Sequence, residues 1–221
     1  DAGKLIDIGA LYNLLLYIFA EEAGKKINNV LTPKEVIGLV AELIGDNKDN
    51  NSLCDPVSGS GTLLVEVGKR VGIRGANIFG QEANWNQYAL TIPPFADKWA
   101  TEEAEFDRYG RFQYGIPPRS QATWAYISHI LASLKPNGRA VVVVPAGVLF
   151  RTSESKIRHQ IIEHNLLETV IELPQNLFYG AAISTAILVF RKDRKTTQTL
   201  FMDARKGYIS NKGIYKLSDT M

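Results

Sequence analysis

Apolar positions recur at helical spacing from the start of the chain, where Leu5, Ile8, Leu11, Leu15 and Ile18 share one face. Residues 1–30 therefore read as an amphipathic helical lead-in. Thr32-Pro33-Lys34-Glu35 then joins an N-cap, a proline at the first helical position and a capping-box glutamate. Val36, Leu39, Val40 and Leu43 carry that helix inward. Beyond a polar loop, short apolar runs begin to alternate with helical stretches. Ser52-Leu53-Cys54 predicts a buried strand ending in Asp55. Leu63, Leu64 and Val67 predict a helix, and Ile78 to Glu82 a second strand with an acid at its end. Trp85, Tyr88, Ala89 and Ile92 fall at i, i+3, i+4 and i+7, which predicts another helix. Residues 95–118 are irregular, Ala125–Leu134 is helical, and Lys135-Pro136-Asn137-Gly138 reads as a turn. Ala140 to Val144, with four consecutive valines, predicts a strand buried on both faces, as parallel sheets require. A helix over Ser153–Asn165 and strands over Thr169–Leu173 and Ala186–Phe190 complete the pattern, and a basic, turn-rich, peripheral tail follows Arg191.

This alternation predicts an α/β fold with a doubly wound, mostly parallel sheet. In such sheets ligands sit beyond the carboxyl ends of the strands. The expected organisation is a helical lead-in at 1–30, a catalytic domain at 31–195 and a tail at 196–221. Composition changes the picture only at its margins. The 221 residues carry a formal net charge of +2, a weak basic excess for a protein that grips DNA unaided, because phosphate neutralisation supplies much of such affinity. One cysteine, Cys54, forbids an internal disulfide; of the three histidines, His159 and His164 are five apart with no acidic partner at metal-ligand spacing, so no metal is expected. The first segment has acidic interruptions and is read as neither a signal peptide nor a membrane span; a reducing cytoplasm is the expected compartment.

The candidate chemistry lies at the strand ends. Asp55-Pro56-Val57-Ser58-Gly59-Ser60-Gly61-Thr62 is a strand-to-helix turn in which glycines let the backbone approach a ligand and the helix amides favour a carboxylate. Asp55 can accept a bond from a ligand ammonium, and Glu82 can take both hydroxyls of a ribose. The bland alternative is a plain glycine turn with solvated acids. Dinucleotide binding is the sharper competitor, but its fingerprint wants a small residue where Leu64 stands.

The run Thr32-Pro33, DPVSGSGTLL and FGQEAN resembles the amino-methyltransferases of DNA adenine, and in particular the modification subunits of type I restriction-modification systems. The phrases PPFADKW, GRAVVVVPAGVLFR, NLFYG and LFMDARK follow in that family's order, so the resemblance covers about Leu11 to Lys206. It implies a Rossmann-like S-adenosylmethionine-dependent methyltransferase fold. It further implies that Thr32 and Pro33 pack near the methionine moiety, that Asp55, Gly59, Gly61 and Thr62 cradle it, and that Glu82 holds the ribose. Leu31 stands where the family has tyrosine, and Thr123 where it usually has aspartate.

The family's catalytic phrase is Asn-Pro-Pro-Tyr/Phe. An asparagine carbonyl and a proline backbone carbonyl accept the two N–H bonds of adenine N6, localising its lone pair towards the methyl, while the aromatic ring stacks on the flipped base. Here the phrase is Ile92-Pro93-Pro94-Phe95, and isoleucine accepts no hydrogen bond. Ten residues between Glu82 and Pro93 are also too few for the crossovers a doubly wound sheet needs. The spacing implies that a block of chain, the asparagine with it, is missing between about Ile92 and Pro93. The alternative is a degenerate, inactive enzyme with Tyr88 to Ile92 as a strand. Phe178 resembles the family's second aromatic beside the target base, against the commoner explanation of a buried turn phenylalanine.

The resemblance implies N6-methylation of adenine in double-stranded DNA, with S-adenosyl-L-methionine as cofactor, a separate specificity subunit reading the site and a restriction subunit able to join. The competing readings are an inactive module that keeps cofactor binding, and a protein-glutamine methyltransferase. The basic cluster Arg191, Lys192, Arg194, Lys195, Arg205 and Lys206 reads either as a phosphate contact or as a solvated surface loop.

Overall fold

The computed structural model describes residues 32–45, 52–58, 61–73, 77–80, 86–93, 95, 97–178, 183–211 and 214–217. The lead-in at 1–30 therefore lies outside the described residues, as do Gly59, Glu82 and Pro94.

Among the described residues, four helices flank one sheet: α1 (Lys34–Ile44), α2 (Thr62–Arg70), α3 (Thr123–Ser133) and α4 (Ser155–Glu163). The strands are β1 (Leu53–Asp55), β2 (Ile78–Gly80), β3 (Asn86–Thr91), β4 (Leu134–Pro145), β5 (Leu167–Glu172), β6 (Thr185–Arg191) and β7 (Leu200–Asp203). They are ordered β2-β1-β3-β4-β6-β5-β7, and a separate hairpin joins β8 (Tyr208–Asn211) to β9 (Ile214–Leu217). Pairing is parallel except at β6, which runs antiparallel to both β4 and β5. The expected doubly wound, mostly parallel sheet is the observed one.

The valine run explains why the sheet is covered on both sides. Side chains alternate across a strand. Val141 and Val143 accordingly pack with Val36, Val40, Leu63 and Val67 of α1 and α2, while Ala140, Val142 and Val144 pack with Trp124, Ile127, Leu131, Ile157 and Ile161 of α3 and α4. Each fully buried aliphatic side chain contributes roughly 1.5–3 kcal/mol, so a polar residue anywhere in this run would strike one core or the other.

Four expectations are corrected. Asn86–Thr91 is a strand, not a helix: Leu53 pairs with Tyr88 on one side and Ala89 with Ala140 on the other. A six-residue segment inserted between two strands, with Ala89 and Leu90 buried, satisfies its backbone in the ladder, and its helical periodicity loses to that pairing. Lys135–Gly138 belongs to β4, where a register shift between Leu134 and Arg139 absorbs the proline and glycine. Pro33 occupies the N-cap position of α1 without a side-chain cap, so Thr32 lies one residue too early for the capping role. The basic tail is not wholly peripheral, since Leu200–Asp203 pairs in parallel with β5 as the outer edge of the sheet. No described helix is long and apolar enough to cross a membrane.

Candidate active site

The carboxyl ends of the six parallel strands define one edge of the sheet. The chain runs from β1 outward to β2 and then to β3 on the other flank of β1, so the topological switch point lies between the tips of β1 and β3. Asp55 ends β1 and Thr91 ends β3, which puts the first predicted cofactor acid at that switch.

Asp55 is buried, at 2% exposure. One carboxylate oxygen accepts the Val57 amide at 2.9 Å, which folds the turn back over the strand end. Burial pushes this carboxyl up to about 6, against weaker opposing pulls from the Val57 amide and the Thr91 hydroxyl. The Thr91 hydroxyl is itself fully buried, and although it sits close enough to favour the Asp55 anion, it makes no hydrogen bond of ordinary geometry. A buried acid so poorly compensated is a candidate partner for a cation.

The turn continues to Gly61, whose amide is hydrogen-bonded to the Ser58 carbonyl at 2.6 Å and whose φ is +74°. That left-handed conformation is costly for any residue with a Cβ. Gly61 is the N-cap residue of α2, and Thr62 opens the helix. The amides at a helix start attract anions, which makes the opening of α2 a candidate place for a carboxylate. Gly80 ends β2 against this turn: a Cβ there would lie 2.9 Å from the Ser58 hydroxyl. The glycine before Gln81 and Glu82 thus leaves room for the Ser58 side chain where the two strand tips meet. Thr32 and Pro33, both half-buried, precede α1. Arg139, at the opposite edge of the sheet, donates to the Leu43 carbonyl at 2.9 Å near the far end of α1. The helix thus runs back along the strands and brings Thr32 and Pro33 towards the strand tips.

Beyond β3 the chain passes through Pro93, which is buried, to Phe95. Phe95 meets Phe178 edge to face, with ring centroids 5.6 Å apart and planes at 90°. These two aromatics were singled out from motifs 83 positions apart in the sequence, and the fold joins them beyond β3 and β5. Ile92 packs with them in the α1–α2 core. The described part of the site thus assembles Asp55, Gly61 and Thr62 on one side of the switch and Pro93, Phe95 and Phe178 on the other. Thr91 is the residue that sequence reasoning missed; it carries no motif signal and was absorbed into a helical period.

The basic cluster is divided and largely spent. Lys192 donates to the Leu134 carbonyl at 2.7 Å, Arg194 to the Leu167 carbonyl, and Arg191 pairs with Asp193 at 2.6 Å. These partners sit at the amino ends of β4 and β5, the edge opposite the site. Arg205 is on the site edge, but holds Asp203 at 2.7 Å and Glu172 at 3.1 Å. A cleft of about 340 Å³ lined by Leu43, Arg139, Glu168 and Arg194 also lies at that opposite edge and has no part in this chemistry.

The model of the N-6 DNA methylase family matches residues 6–92 and 87–220 in two pieces. Among curated relatives, the HindI methylase subunit of a type I restriction enzyme from Haemophilus influenzae is 26% identical over 268 aligned positions, covering 97% of this chain and 60% of that protein. The MpnII methylase subunit from Mycoplasma pneumoniae is 27% identical over 264 positions, covering 95% of this chain and 49% of its own. The chain thus spans about half the length of these relatives. The structure of a type I restriction-modification methyltransferase subunit from Streptococcus thermophilus superposes with a TM-score of 0.82 at 27% identity, over 94% of this chain and 54% of that one. A class I S-adenosylmethionine-dependent methyltransferase from Listeria monocytogenes shares the fold at a TM-score of 0.69 and 19% identity, over 88% of this chain and 71% of that one. On the family match, this chain belongs to the N-6 DNA methylases.

Proposed function

We propose that the chain is the cofactor- and base-holding core of an S-adenosylmethionine-dependent DNA adenine-N6 methyltransferase, acting as the modification subunit of a type I restriction-modification complex in the cytoplasm. The observation that carries the reading is the poorly compensated carboxyl of Asp55 at the switch point, next to the glycine-opened start of α2. Asp55 would hold the ammonium of the cofactor's methionine end, and the turn and helix start at Gly61 and Thr62 would face its carboxylate. Glu82, with Thr32, Pro33 and Gly59, completes the proposed cofactor set, and Pro93, Pro94, Phe95 and Phe178 the base side. The units 1–30, 31–195 and 196–221 are proposed as lead-in, catalytic domain and tail.

When bound, the cofactor would be held by Asp55 and the start of α2 and would supply an electrophilic sulfonium methyl group to the adenine amine. The chain's own work is positional: a backbone carbonyl at Pro93 can accept one N6 hydrogen, and Phe95 can cover the flipped ring while Phe178 braces its edge. Double-stranded DNA is the proposed substrate, a specificity subunit the proposed partner that reads it, and a restriction subunit a further one. Calorimetry with S-adenosylmethionine tests the reading. Uptake by the chain, with Asp55→Asn weakening it at least about tenfold, is the expected result. No uptake by the unaltered chain would remove the assignment.

A further inference from the structure

The loop that follows β4 stands at the same edge of the sheet as the candidate site. Thr91 of β3 pairs with Val142, and β4 runs on to Pro145, roughly 10 Å past the level of Thr91. The loop therefore starts beside the stretch of chain that carries Pro93 and Phe95. It lies on the other side of the strand tips, however. Val148 and Leu149 pack in the α3–α4 core, whereas Phe95 and Phe178 pack in the α1–α2 core.

Phe150, at the end of this loop, is 74% exposed. A single exposed aromatic needs no explanation, but this one has a backbone pinned from several directions. Its amide donates to the Gly147 carbonyl at 3.2 Å, and the Arg151 amide donates to the same carbonyl at 3.0 Å. Arg158 of α4 donates to the Val148 carbonyl at 3.2 Å and to the Arg151 carbonyl at 2.8 Å, one on either side of Phe150. Arg151 lays its guanidinium over Gly147, where a Cβ would lie 2.7 Å away, and pairs at 3.5 Å with the fully buried Glu154. The Ala146 amide donates to the Ser184 carbonyl at 2.8 Å, tying the loop to the chain entering β6. A buried ion pair adds little net stability, so the effect of this brace is geometric: it holds a solvent-facing ring in one place. A ring held in advance loses little freedom when it binds.

The charge around that ring has one sign. Over residues 145–160 the cations Arg151, Lys156 and Arg158 face one acid, Glu154, a formal +2 that equals the net charge of the whole chain. Thr152, Ser153 and Lys156 are exposed, while the one acid is buried, so no exposed carboxylate stands among residues 145–160. Phe106, the other strongly exposed phenylalanine of the loops, is in different company: Glu102, Glu103 and Glu105 precede it and Asp107 follows. Hydroxyls and a lysine meet phosphates, and an exposed phenylalanine beside them meets bases.

We propose that Phe150, Thr152, Ser153 and Lys156 form a duplex-DNA contact, with the ring against the bases beside the flipped adenine and the lysine and hydroxyls on adjoining phosphates. The proposal rests on the function proposed above and adds a second aromatic station to it. The flipped base goes to Phe95 and Phe178 on one side of the strand tips, and the duplex is met by Phe150 on the other. An apolar ring set against a base step unstacks it, which lowers the cost of extruding the neighbouring base.

Four variants test the proposal: Phe150→Ala, Phe150→Leu, Lys156→Ala and, as a control, Phe106→Ala. Each is titrated against a labelled duplex with a mismatched adenine, in S-adenosylmethionine, at about 50 mM salt, where phosphate contacts are strong. Melting curves and cofactor calorimetry are run on the same samples. All four should melt and take up cofactor like the parent. Phe150→Ala should weaken duplex binding at least about fivefold with the salt slope unchanged, and Phe150→Leu should weaken it less. Lys156→Ala should make the logarithmic salt slope shallower by about one. Phe106→Ala should change nothing. Unchanged duplex affinity in both Phe150→Ala and Lys156→Ala overturns the inference and leaves the proposed function standing. Equal weakening by Phe106→Ala also overturns it, since the effect then belongs to exposed rings in general, and so does a parent that binds no duplex. A parent that takes up no cofactor removes the proposed function, and the inference with it.

Discussion

At the scale of single residues, Asp55 decides most. Its carboxyl sits near 6 in the fold against an ordinary 3.8, because burial disfavours the anion. Between those pH values the folded chain holds a proton that the unfolded chain has released, so stability falls as pH rises through the window and levels off above it. Two units amount to about 3 kcal/mol. Asp55→Asn removes the buried charge and keeps an acceptor for the Val57 amide. Thermal melts from pH 4 to 7 should show the variant gaining on the parent as pH rises, while its cofactor uptake falls. A variant that loses stability at pH 7 would mean that the anion is satisfied in the fold. Cofactor affinity of the parent should drop about tenfold per pH unit below 6, as the ammonium partner is neutralised. The aromatic pair offers a second check. Edge-to-face rings are coupled by about 0.5–1.5 kcal/mol, so a double-mutant cycle of Phe95→Leu and Phe178→Leu should return a coupling in that range, and a value near zero would deny the pairing. Asp55, Gly61, Phe95 and Phe178 were legible in the sequence because motif order carries them. Their convergence at one edge was legible only through the strand pattern, and the burial of Asp55 under Thr91 was not legible at all, because it depends on which strand lies beside β1.

At the scale of elements, the sequence reads well wherever hydrophobic period and pairing agree. β4 is the clearest case: four valines predicted burial on both faces, and alternate residues do enter the two cores. The reading fails at Asn86–Thr91, where a 3.6-residue period is overridden by a vacant place between β1 and β4, a tertiary fact with no local signature. It fails again at Lys135–Gly138, where Pro and Gly mark a register shift inside a strand as readily as a turn. The start of α2 carries a prediction of its own. Gly61 and Gly72 flank this helix with the same φ of +74°, and neither has an atom within 4 Å of an added Cβ. Alanine at either position should cost about 1 kcal/mol from backbone strain alone. Only Gly61→Ala should also weaken cofactor binding, because only that end of α2 faces the switch point. Equal melting shifts with unequal calorimetry would establish the distinction, and a loss of uptake with Gly72→Ala would sink it.

For the whole molecule, the proposed function raises the question of what would hold DNA against a site so placed. The formal charge is only +2, and four cations of the tail cluster are committed: Arg191 pairs with Asp193, Lys192 and Arg194 bind strand carbonyls at the edge opposite the site, and Arg205 is held by Asp203 and Glu172. A cation already paired releases few counterions from DNA, since its charge is partly neutralised before it arrives. The exposed side chains of β7, Leu200, Phe201 and Met202, are apolar and add nothing to a phosphate contact. The chain spans about half the length of these relatives. Titration of labelled duplex DNA with the chain alone should therefore give dissociation constants no tighter than about 10 µM at physiological salt. The logarithmic salt slope should be shallower than about −3, equivalent to three or so phosphate contacts. A slope of −6 or steeper would require a continuous basic track on this core, which the paired arginines of the tail could not supply. The search for what grips the DNA would then move from a partner subunit to the face of this domain.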